Sequence, residues 1–122
     1  MVNKLLTPLE LKIMNCLWDK GQANVKDMLL SWDEMPKPAY NTISTIVRIL
    51  EDKKMVRHIP QGRGFIYAPL VSRDLYQSEF LENAVEQVFS GKAYSLVTKL
   101  VGSNKIDNQE LQALRKLLDK FS

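Results

Sequence analysis

One cysteine and one histidine in 122 residues leave several chemistries without their reagents. Cys16 has no second thiol for an intramolecular disulfide, and a single Cys with a single His is too few for a zinc site, so no metal is expected. Cys16 stands among apolar neighbours in a helical pattern and reads as a small core residue. Also missing are a phosphate-binding glycine loop, metal-ligand spacing and a carboxylate pair assignable to a cleft. No catalytic residue and no cofactor is therefore expected, and an enzyme is the weakest reading. No apolar stretch approaches the roughly 18 residues that a membrane span needs. The first residues, Met-Val-Asn-Lys-Leu-Leu-Thr-Pro, lack the apolar segment of a signal peptide. A cytoplasmic location without membrane insertion is the expectation.

What remains is an ordinary globular composition, 45% hydrophobic and 25% charged, enough for one compact domain or a small domain with an oligomerisation element. The net charge of +3 is small, but its placement is uneven. Residues 37–71 hold six basic side chains against two acidic ones, whereas residues 72–122 balance at seven of each. Positive charge thus gathers in the middle of the chain, as a polyanion-binding surface requires.

Residues 1–71 read as three helices and a hairpin. Thr7-Pro8-Leu9-Glu10 spells a capping box with proline at the first helical position. Leu9, Ile13 and Leu17, with Met14 and Trp18, form the buried stripe of that helix, and Gly21 ends it. Asn24 caps a second, shorter helix with Val25, Met28 and Leu29 apolar. Pro36 and Pro38 mark 31–38 as a loop, and a third helix follows over about 39–54. Met55-Val56-Arg57-His58-Ile59 and Gly64-Phe65-Ile66-Tyr67-Ala68 read as two strands, joined by Pro60-Gln61-Gly62-Arg63-Gly64. His58 reads as a solvent-facing strand residue with no acidic partner in view. Pro69 marks the boundary. Helix then basic hairpin is the order of a winged helix-turn-helix domain, so the expected fold is mostly α with a small β-hairpin.

The third helix is the most informative element. At about 100° per residue, Ile43, Ile46, Val47 and Leu50 fall on one side and Asn41, Ser44, Thr45 and Arg48 on the other. A merely solvated face would carry Glu and Lys. Short donors and acceptors with an arginine are the side chains suited to base edges in a major groove. Asn41, Thr42, Ser44, Thr45 and Arg48 are the expected base readers, because the N-terminal part of such a helix enters the groove. Lys37, Tyr40, Lys53, Lys54, Arg57 and Arg63 are the expected contacts to the DNA backbone, which give affinity without sequence information. For Lys53 and Lys54 the alternative is a solvated helix end favoured by the helix dipole. For Arg63, flanked by Gly62 and Gly64, it is a simple solubility charge.

Residues 72–122 read as three more helices. The first starts at Ser72 and carries Leu75, Tyr76, Phe80, Leu81, Ala84, Val85, Val88 and Phe89 at three- and four-residue spacing. The second covers about 93–101 with Tyr94, Leu96, Val97 and Leu100. The third is capped by Asp107 and carries Leu111, Leu114, Leu117, Leu118 and Phe121. These helices are too short for a comfortable core of their own, yet hold more large apolar groups than a solvated tail tolerates. Homodimerisation through Leu81, Val85, Val88, Leu96, Leu100, Leu111, Leu114 and Leu118 is preferred over packing as a cap on the same chain.

Three stretches carry a family resemblance. Leu6-Thr7-Pro8-Leu9-Glu10 with Ile13-Met14 and Leu17-Trp18, the run Tyr40-Asn41-Thr42-Ile43-Ser44-Thr45-Ile46-Val47-Arg48-Ile49-Leu50, and Gly62-Arg63-Gly64-Phe65-Ile66-Tyr67-Ala68-Pro69-Leu70 resemble the penicillinase and methicillin-resistance repressors of the BlaI/MecI type. The resemblance extends over essentially the whole chain. It implies a winged-helix homodimer that binds double-stranded, palindromic operators and represses resistance or stress-response genes, often with its own operon. It also implies a membrane-bound sensor protease that triggers cleavage of the repressor in its dimerisation region, between Asn and Phe. The matching step here is Lys99-Leu100, a departure from that pattern. A copper-responsive branch of the family uses a C-terminal cysteine cluster, and this chain ends Asp119-Lys120-Phe121-Ser122.

The rival reading from another class is a winged-helix protein–protein interaction module whose exposed helix face docks a partner. Its affinity would ignore salt, whereas DNA affinity would not.

Overall fold

The computed structural model describes residues 5–122; residues 1–4, on which the reading of the N-terminus partly rests, lie outside the described residues. Six helices and one hairpin follow in the order α1 (Pro8–Lys20), α2 (Val25–Leu30), α3 (Tyr40–Asp52), β1 (Val56–Gln61), β2 (Gly64–Pro69), α4 (Arg73–Gln87), α5 (Ala93–Gly102) and α6 (Asn108–Asp119). The mostly helical chain with a two-stranded antiparallel hairpin is the fold class that the sequence predicts. The residues divide into two compact units, one ending at Phe80 and the other spanning Leu81–Ser122, so the division falls within α4.

In the first unit, local signals set the helix ends. Thr7 Oγ1 accepts from Glu10 N–H while Glu10 Oε1 accepts from Thr7 N–H, the reciprocal capping box. Gly21 closes α1 at φ +87°, donating its N–H to Leu17. Asn24 caps α2 through Asp27 N–H. The end of α3 is a Schellman turn, with Met55 N–H on Leu50 O and Lys54 N–H on Glu51 O. Lys54 holds the left-handed position there, at φ +64°, where glycine is the usual occupant.

These ends aim one apolar face of each helix inward. Ile13, Met14 and Leu17 of α1, Met28 of α2, and Ile43, Val47 and Leu50 of α3 are fully buried together, and Met55 and Val56 seal the core beneath the hairpin. Each such side chain contributes about 1.5–3 kcal/mol by leaving water. Ile46 and Trp18 pack against this cluster but are only partly buried, and Leu9 too is half-buried. Cys16 likewise lies at the core's edge, its Sγ 3.5 Å from Ser31 Oγ. The start of α4 is pinned by Trp18 Nε1–H on Val71 O (2.8 Å) and by Tyr76, whose hydroxyl accepts from Leu6 N–H.

The hairpin pairs Val56 with Pro69 at its base and Gln61 with Gly64 at its tip. Gly62 takes the left-handed conformation (φ +59°) at the first central position of the two-residue turn, where type II′ turns place glycine. Ala23, between α1 and α2, adds a one-residue bridge. Its N–H reaches Tyr67 O at 3.0 Å, and Tyr67 N–H returns to Ala23 O at 2.8 Å.

The second unit has well-formed ends and little interior. Asp107 and Glu110 repeat the capping box at the start of α6. No residue of α5 or α6 is buried, and Val88, Tyr94, Leu118 and Phe121 are all more than half exposed. No described helix is long and apolar enough to cross a membrane.

Candidate nucleic-acid interface

α3 begins after Lys37 and Pro38 with Ala39 at its N-cap, which supplies no side-chain acceptor. Thr42 and Ile43 N–H reach Ala39 O at 3.1 and 3.2 Å, and no N-cap side chain covers the amides of Tyr40 and Asn41 before them. Burial of Ile43, Val47 and Leu50 fixes the helix's rotation, which turns Asn41, Thr42, Thr45 and Arg48 to solvent and leaves Ser44 half-buried. Thr45 Oγ1 donates to Asn41 O at 2.9 Å. Its hydroxyl hydrogen is therefore engaged, and the methyl and a lone pair are what it offers.

Between α3 and the hairpin lies an open cleft of about 490 Å³. Tyr40, Asn41, Ser44 and Arg48 line it from α3, and Arg63 with Gln61, Gly64, Phe65 and Tyr67 from the hairpin. The structure thus brings together five of the residues singled out from sequence, one of them 15 positions beyond Arg48. Burial pushes the Tyr67 phenol above its ordinary value, with the Glu51 carboxylate adding to the shift and Arg48 opposing it. Thr42, Thr45, Lys37, Lys54 and Arg57 are exposed but lie outside the lining of this cleft.

Two expectations change. Lys53, expected on the DNA backbone, is half-buried with its ammonium 2.7 Å from Oε2 and 2.9 Å from Oε1 of buried Glu10. His58, expected without an acidic partner, has one in Glu51, seven residues earlier on α3. Both pairings depend on where α3 packs, which no local pattern encodes.

The cleft also contains residues that sequence reasoning missed. Asn24 and Lys26 line it from the start of α2. A lysine in the first turn of a helix opposes the helix dipole, and that mismatch was the available signal that Lys26 is placed for something other than the stability of α2. Among the described residues no group of three or more His, Cys, Asp or Glu could hold a metal.

Residues 6–120 match the penicillinase repressor family. The chain is 20% identical over 113 residues to a penicillinase repressor of Staphylococcus aureus, covering 93% of this chain and 90% of that protein. It is 21% identical over 111 residues to a penicillinase repressor of Bacillus licheniformis, covering 91% and 87%. With the methicillin resistance regulatory protein MecI of Mammaliicoccus sciuri, identity is 26% over 115 residues, covering 91% and 90%.

Proposed function

The chain belongs to the penicillinase repressor family, whose members are transcriptional repressors and not enzymes, and on that premise we propose that it binds palindromic operators as a cytoplasmic homodimer. The observation that carries this reading is the cleft in which Asn41, Ser44 and Arg48 of α3 face Arg63 of the hairpin. Residues 1–71 form the reading head. Asn41, Thr42, Ser44, Thr45 and Arg48 meet base edges, where Asn pairs with adenine, the Thr methyl touches thymine, and Arg reaches guanine or a phosphate. Lys37, Tyr40, Lys54, Arg57 and Arg63 hold the backbone, whereas Lys53 belongs to the fold.

Residues 72–122 pair two heads. Exposed Leu81, Val88, Leu100 and Leu118, with half-buried Val85, Leu96, Leu111 and Leu114, form the seam that a second copy covers. A single small head binds weakly, and linking two raises the effective concentration of the second at its half-site. Release then needs only an event that loosens the seam. Cleavage is not part of this reading, since Lys99-Leu100 lies within α5 and lacks both residues of the family's scissile step.

The test is fluorescence anisotropy of the protein on the DNA upstream of its own gene, across a salt series with random DNA as competitor. Tight binding that survives the competitor and weakens steeply with salt supports an autoregulatory repressor. Competitor-sensitive binding places the operator elsewhere. Absence of binding at low salt overturns the reading in favour of a protein-docking module.

A further inference from the structure

The hairpin is tied to α3 by a contact that no base- or phosphate-contacting residue supplies. Oε2 of Glu51, in the last turn of α3, accepts the backbone N–H of His58 at 3.2 Å and also meets Nδ1 of the same residue's ring. The imidazole in turn stands edge-on to Phe65, ring centres 5.1 Å apart and planes at 81°. Phe65 lines the cleft beside Arg63. One ring therefore sits between the carboxylate at the foot of α3 and an aromatic near the tip of the hairpin.

The charged and titratable groups around this ring are few. From α3 come Glu51 and, one turn earlier, Arg48; from β2 comes Tyr67, the cross-strand partner of His58; from β1 itself comes the neighbouring Arg57. Among the described residues, His58 is the ion-pair partner of Glu51. While the imidazole is neutral, Glu51 keeps a full negative charge beside the surface assigned to phosphates. Once it is protonated, the pair is neutral and that repulsion is gone. Histidine is the side chain that changes charge between about pH 5 and 8, and this chain has one.

We propose that Glu51 and His58 form a proton-linked brace between the reading helix and the wing, so that DNA binding takes up a proton at His58 and tightens in acid. The inference rests on the DNA-binding reading above. His58 acts here as a positioning residue, through Glu51 and Phe65, and not by touching DNA.

The test is anisotropy on a rhodamine-labelled duplex from the DNA upstream of the gene, at constant ionic strength, from about pH 8 to about pH 5.5. The wild type is expected to tighten by roughly three- to fivefold over that range, the scale of one exposed ion pair. His58→Gln keeps a hydrogen bond to Glu51 without the charge, so it retains the affinity at the alkaline end and loses the gain in acid. Glu51→Gln removes the repulsion outright, so it binds at the alkaline end as the wild type does in acid, with a flat profile. A brace that is merely structural would weaken both variants equally at every pH, and that result overturns the proton linkage. A flat wild-type profile overturns it too, while leaving DNA binding intact. No binding by the wild type at any pH, even at low salt, removes the DNA-binding reading and this inference together.

Discussion

The Nζ of Lys53 lies 2.7 Å from Oε2 of Glu10, joining the residue that ends α3 to the first turn of α1 across 43 positions of sequence. Burial pushes the Glu10 carboxyl up, but the hydrogen bond and charge of Lys53, together with the bonds to Thr7, outweigh it and hold the group below its ordinary value. The same carboxylate that caps α1 is thus the anchor for α3.

Replacing Lys53 with Met leaves that carboxylate buried without its cation. The variant should lose roughly 1–3 kcal/mol of stability at neutral pH, measured by urea denaturation. Because the folded carboxyl titrates below the unfolded one, this stabilisation is fully present above the ordinary value of 4.5 and is lost as pH falls through the folded value. The difference in urea midpoint between wild type and Lys53→Met should therefore hold from neutrality down to about pH 5 and close below it. A gap that widened in acid would contradict the assignment.

Lys54 makes a separate case, since it occupies a left-handed backbone position. Lys54→Gly should raise stability by about 1 kcal/mol, by relieving the Cβ clash. The same change should lower DNA affinity and reduce the salt slope by about one. Urea denaturation and a salt series of anisotropy titrations read the two effects independently. A variant that gains stability with an unchanged salt slope would remove Lys54 from the backbone contacts.

At Thr45 the hydroxyl hydrogen is committed to Asn41 O, so the proposed base contact falls to the methyl. Thr45→Val, which keeps that methyl, should bind nearly as the wild type does. Thr45→Ser, which keeps the hydroxyl, should lose about 1 kcal/mol of discrimination at one base pair. Competition binding against a panel of single-base-pair variants of the operator separates the two. The opposite ranking would assign recognition to the hydroxyl.

Leu118 is 59% exposed on α6, so an aspartate there costs the isolated chain little. Leu118→Asp should sediment as a monomer where the wild type sediments as a dimer. Its operator affinity should fall at least tenfold through loss of the linked second head, with the circular dichroism spectrum unchanged. A variant that remained dimeric and bound normally would take Leu118 out of the seam.

The two capping boxes, the glycine that ends α1, the Asn24 cap and the hairpin were legible because each is written within a few consecutive residues. Thr7 with Glu10 and Asp107 with Glu110 each span the first turn of their own helix, and Gly62 sits where the turn needs it. The polar face of α3 was legible from periodicity, and so was the excess of apolar groups in α5 and α6. Glu10 shows where legibility stops. Its capping role is local, but its burial and its bond to Lys53 follow from the packing of α1 on α3. Glu51 and His58 are only seven residues apart, yet the turn after α3 and the hairpin's twist decide that they meet. Lys26 and Asn24 reach the cleft from α2 by the same kind of tertiary placement.

The paired hydrogen bonds between Ala23 and Tyr67 give the wing the mechanics of a cantilever. Val56, at the base of β1, is buried in the core and Tyr67, within β2, is bridged to Ala23, while Gln61 to Gly64 at the tip are exposed. A force applied at Arg63 therefore bends the free end first and reaches the interior through the clamp at Tyr67 and the contact of His58 with Glu51. The clamp at Ala23 and Tyr67 is made of main-chain groups, which side-chain substitution at the tip leaves untouched.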